Sequence, residues 1–77
     1  LSQGAAIRAK LSDRQREIMK CLSRGLSDRE IAKVLCVSGS TVHREISVLL
    51  QMMGASNRTE LAALAVRLGF VGEPGRG

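Results

Sequence analysis

Between Ser27 and Met53 the chain reads SDREIAKVLCVSGSTVHREISVLLQMM, a stretch that holds the starts of two helices with almost nothing between them. Ser27 followed by Glu30 is a capping box, in which each side chain can satisfy a backbone N–H at the other's position. Leu26 and Ile31 supply the hydrophobic staple across it. The arrangement recurs at Ser38, where Val37 and Val42 provide a second staple. The connection Leu35-Cys36-Val37 is too short to lay the later helix antiparallel to the earlier one. The two must cross steeply as a helix-turn-helix, with the N-terminal half of the later helix pushed outward as a rod that a DNA major groove admits.

Flanking signals extend this pair to an all-α, four-helix domain over residues 11–70. A first helix opens at Ser12, with Gln15 completing a capping box and Ile18, Met19, Cys21 and Leu22 forming its inward stripe, and Gly25 ends it. The second helix turns Ile31, Ala32 and Leu35 inward. The third runs from about Gly39 to Met53, with Val42, Ile46, Leu49, Leu50 and Met53 on one face and Gly54 as its stop. A fourth starts behind Ser56 or Asn57, where Asn57 and Glu60 have cap spacing. It runs to Leu68, with Leu61, Leu64, Ala65 and Leu68 toward the core. Residues 1–10 lack a clear period and are expected to be a linker from an N-terminal regulatory domain outside this chain. Residues 71–77, which hold the single proline among glycines, are expected to be a disordered tail.

With one Phe and neither Trp nor Tyr in 77 residues, the core must be aliphatic, which suits packed helices better than a sheet. Such a small domain buries only roughly 60% of the surface its unfolded chain exposes. Twelve Lys and Arg against seven Asp and Glu give a net charge of +5 and a pI near 10.3, favouring a polyanionic partner. Cys21 and Cys36 have neither CxxC spacing nor a partner His, so both are expected to be buried small hydrophobes rather than metal ligands or a disulfide framework. No apolar run is long enough to span a bilayer and the start lacks the apolar core of a secretory signal, so a cytoplasmic location is expected. One His, no Ser-His-Asp set, no Gly-rich phosphate loop and no convergent carboxylate pair argue against an enzyme and against any cofactor.

At about 100° per residue, the face of the third helix opposite its apolar stripe carries Ser40, Arg44, Ser47 and Gln51, with His43 on its flank. Arg44 can donate two parallel hydrogen bonds to guanine O6 and N7, or grip a phosphate. Ser40 and Thr41, beside free N–H groups at the helix start, suit phosphate oxygens. Arg29 and Lys33 are candidates for the flanking DNA backbone, with simple solvation as the alternative. Glu45 is awkward beside phosphates. It is expected to pair with Arg29 or Arg44, or to accept from a cytosine amino group. Val48 and Met52, off the core stripe, suit a thymine methyl or another helix. On the fourth helix Thr59, Ala62, Ala63 and Val66 lie away from the core stripe and form a small, mostly apolar strip through which two copies could meet about a twofold axis.

These residues, 11 to about 68, resemble the LuxR-type (NarL/FixJ, GerE) helix-turn-helix domain. The motifs that coincide, in order, are LSDRQREI, GLSDREIA, VSGSTV and SNRTE. The resemblance implies a four-helix DNA-binding effector of a bacterial transcription regulator, joined to a phosphorylated receiver of a two-component system or to a ligand sensor, and dimeric through the fourth helix. It places the base-reading positions on His43, Arg44 and Ser47 and the phosphate-contacting threonine on Thr41. Lysine is common in the family where His43 and Ser47 stand, histidine where Glu45 stands, and basic residues where Gln51 and Met52 stand. These departures bear on operator sequence and affinity rather than on fold.

The expected function is therefore sequence-specific binding of promoter DNA as a homodimer, with Arg29, Lys33, Ser40, Thr41 and Gln51 on phosphates, helping recruit or block RNA polymerase. The competing expectation is a helical protein-interaction module, an anti-activator or co-regulator, that uses the same fold with weak or no DNA binding.

Overall fold

The computed structural model describes residues 10–70, and within them the chain forms four helices and no strand: α1 (Asp13–Ser23), α2 (Asp28–Leu35), α3 (Gly39–Met53) and α4 (Arg58–Arg67). The caps read from the sequence are in place. Ser12 Oγ accepts from Gln15 N–H at 3.1 Å while Gln15 Oε1 accepts from Ser12 N–H at 2.9 Å. Ser27 and Glu30 repeat this at 3.2 and 2.8 Å. Ser38 Oγ accepts from Thr41 N–H at 3.2 Å, and Asn57 Oδ1 from Glu60 N–H at 2.9 Å. The Glu60 carboxylate reaches one residue further back than a capping box would, accepting from Ser56 N–H at 2.6 Å.

All four helices end in the same way. After α1, Leu26 N–H donates to Cys21 O and Gly25 N–H to Leu22 O; after α2, Val37 N–H donates to Ala32 O and Cys36 N–H to Lys33 O. The pattern recurs after α3 (Ala55 to Leu50, Gly54 to Gln51) and after α4 (Phe70 to Ala65, Gly69 to Val66). Each is a Schellman motif, which requires one left-handed residue. Glycine fills that position three times. In the turn between α2 and α3 it is filled by Cys36, at φ 57° and ψ 45°.

The expectation that both cysteines are buried therefore fails at one of them. Cys21 lies in the core at 1% exposure, where burial first, and Glu17 second, push its thiol pKa above the ordinary value against a smaller opposing effect of Arg24. Cys36 is exposed, because a left-handed residue at a helix stop points its side chain out from the turn.

The core is one cluster: Ile18, Met19, Cys21 and Leu22 of α1, Ile31 of α2, Val42, Ile46 and Leu49 of α3, Leu61 and Ala65 of α4, closed at the two ends by Leu11 and Phe70. Helix α1 packs most extensively on α4, and α2 on α3. Ala32, Leu35, Leu50, Met53 and Leu68 border the cluster as half-buried residues. Two positions on α4 depart from expectation. Ala62, expected away from the core, is half-buried against it, and Leu64, expected inside, is only half-buried. So many residues of α4 are apolar that its inward direction was poorly fixed by the pattern; the packing turns the helix slightly toward Ala62. The start of α4 is tied to the α1–α2 turn by Arg58, which donates to Leu26 O at 2.6 Å and pairs with Asp28.

Apart from Lys10, the expected linker lies outside the described residues, as does the expected tail over residues 71–77.

Candidate nucleic-acid interface

The buried stripe of α3 faces α2, α1 and α4, and the opposite surface is open. Ser40, His43, Arg44, Ser47 and Gln51 are all exposed, and Thr41 is half-buried. The helix is fifteen residues long, against eight for α2, and its exposed polar residues run from Ser40 to Gln51. On α2, Arg29 and Lys33 are both exposed.

At the start of α3 three hydroxyls gather. Ser38 Oγ lies 3.1 Å from Ser40 Oγ and 3.0 Å from Thr41 Oγ1, while also capping the backbone. The first turns of α1, α2 and α4 each carry a carboxylate, from Asp13, Asp28 with Glu30, and Glu60; that of α3 carries none. The partial positive charge at the N-terminus of α3 is thus not offset by an acidic side chain of its own first turn, and the hydroxyls add donors beside it.

Glu45, the single carboxylate on α3, pairs with neither Arg29 nor Arg44, the partners expected for it. It sits about 100° round the helix from Arg44, on the flank toward α1, and its Oε2 lies 3.6 Å from Arg14 Nη1. On the same flank Gln15 Nε2 approaches Met52 Sδ at 3.8 Å. Met52 at 47% and Val48 at 40% exposure remain largely open. Arg14 was not singled out from the sequence. Local spacing holds no signal for a contact between residues this far apart in the chain, and only the packing of α1 beside α3 creates it.

On α4, Thr59, Ala63 and Val66 are exposed, Val66 at 48%, whereas Ala62 is half-buried against the domain's own core. Among the described residues no three His, Cys, Asp or Glu side chains gather as metal ligands, and no helix is long and apolar enough to cross a membrane.

An exposed, partly basic helix held out by a short steep turn on a three-helix support defines a helix-turn-helix domain. Residues 9–65 match the GerE family, described as bacterial regulatory proteins of the luxR family, and the chain belongs to it. It is accordingly a DNA-binding domain of a transcription regulator. Comparison with curated proteins and comparison with solved structures return no match.

Proposed function

We propose that α3 enters the major groove of a promoter duplex and reads it through His43, Arg44 and Ser47. The observation that carries this reading is the open polar face of α3, whose first turn offers hydroxyls and uncompensated N–H groups with no carboxylate among them. Thr41 and Ser40 then take a phosphate at the helix start, Gln51 one further along, and Arg29 and Lys33 grip the flanking backbone. Arg44, central on the open face, makes the bidentate contact to guanine. Two copies bind adjacent half-sites, meeting through the exposed remainder of the α4 strip, Thr59, Ala63 and Val66. The whole regulator works in the cytoplasm under a receiver or ligand-sensing domain and recruits or blocks RNA polymerase.

Selection of bound sites from random duplexes tests this directly and should return a paired, symmetric sequence. Arg44→Ala should weaken binding about tenfold and relax the preference at one base pair, a pairing of this kind being worth about 1–3 kcal/mol. Unchanged affinity and preference would remove Arg44 from the readers. Binding should also fall steeply with salt, with a log–log slope near −0.9 per phosphate contacted, whereas a protein partner held by apolar contacts would show no such slope.

A further inference from the structure

The ion pair between Arg14 and Glu45 bears on the same surface. A helical side chain leans toward the N-terminus of its helix, and residues four apart are neighbours, so an untethered Glu45 carboxylate would reach the turn that holds Thr41. That turn is the positive end of α3 and carries the Ser38, Ser40 and Thr41 hydroxyls. A carboxylate is attracted to such a place for the same reasons that a phosphate is. Glu45 would therefore compete, within its own helix, for the site that the proposed reading assigns to DNA. In the structure the carboxylate instead lies on the flank toward α1, its Oε2 3.6 Å from Arg14 Nη1 and its side chain 24% exposed.

Resting on the reading of α3 as the DNA-docking helix, we infer that Arg14 is a positioning residue for DNA binding: it withholds the Glu45 carboxylate from the first turn of α3 and so keeps that turn open to a phosphate. Arg14 acts through Glu45, so its importance depends on Glu45 being an acid.

The test is a double-mutant cycle on the chain, with a labelled duplex of random sequence at low salt as the probe, since the phosphate contribution is independent of base sequence. Arg14→Ala should weaken binding about fivefold in the parent, the upper end of what an exposed ion pair can control, but less than about twofold when Glu45 is already Gln. Arg14→Lys, which keeps a cation within reach of the carboxylate, should restore most of the loss. Melting curves of all variants identify any that fail to fold, and Glu45→Gln alone, which should bind at least as tightly as the parent, remains informative if Arg14→Ala does not fold. Equal losses from Arg14→Ala in both backgrounds, with the salt slope reduced by about 0.9, would mean that Arg14 touches a phosphate itself and would overturn the inference. Weaker binding by Glu45→Gln would overturn it too. No binding by the parent chain would be a different failure: it would sink the reading of α3, and this inference along with it.

Discussion

At the scale of single residues, Cys36 is the least comfortable position in the domain. It is the one non-glycine with positive φ among the described residues, and it stands at the pivot of the helix-turn-helix. A left-handed conformation costs an ordinary residue about 1–2 kcal/mol, while glycine in the unfolded chain takes back about 0.5–1. Cys36→Gly is therefore expected to stabilise the domain by about 0.5–1 kcal/mol, read as a higher urea midpoint at an unchanged slope. A lower midpoint would show that the thiol, which lies 3.9 Å from Lys33 O, contributes more than the backbone strain removes. Nothing in the local sequence announced this geometry. At Gly25 and Gly54 the residue type itself flags the left-handed stop, whereas a cysteine in the same role looks like any small apolar residue of a linker. Glu45 was misread for a related reason: its awkwardness beside phosphates was legible, but its partner comes from another helix.

At the scale of elements, α1 and α3 were legible because caps, stripes and glycine stops all agree, and α2 because its cap and stripe agree and the cap of α3 follows so closely. The cap of α3 matters most for presentation. Ser38 alone satisfies Thr41 N–H there, without the reciprocal N3 side chain, Gln15 or Glu30, that supports Ser12 and Ser27, so it has no local substitute. Ser38→Ala is expected to cost about 1 kcal/mol and to speed amide exchange in the first turn of α3 more than in α1. Uniform acceleration across the domain would indicate that the whole fold, not the helix start, had loosened. Helix α4 was legible in extent but not in orientation. Alanine fits either side of a helix, so Ala62, Ala63 and Ala65 could not fix the inward direction, and only packing against α1 and α3 did. Of the open face of α3, every residue expected to be outside is exposed or half-buried, because fifteen residues of clear amphipathic period fix a phase that ten mostly apolar ones do not.

At the scale of the whole molecule, the core closes beyond both the last helix and the matched family segment, which ends at residue 65. Phe70 is 3% exposed and its N–H donates to Ala65 O at 2.8 Å, so the residue just past the Gly69 stop belongs to the core cluster. Sequence reading placed it inside the domain boundary without assigning it a role, because it follows the helical period instead of taking part in it. Phe70→Ala is expected to cost about 3–5 kcal/mol, which approaches everything a core this small supplies. Circular dichroism should show a largely unfolded chain at room temperature, and a cooperative melt near the parent's would contradict this placement. The repeated six-residue ring at every helix stop also governs how fast the molecule assembles. Each reversal of direction is closed by partners at most five positions apart, so little chain must be searched before the helices meet. Refolding after a temperature jump is expected to be a single exponential in the microsecond to millisecond range, and mutations in these rings should slow it more than equally destabilising ones on the outer face of α4.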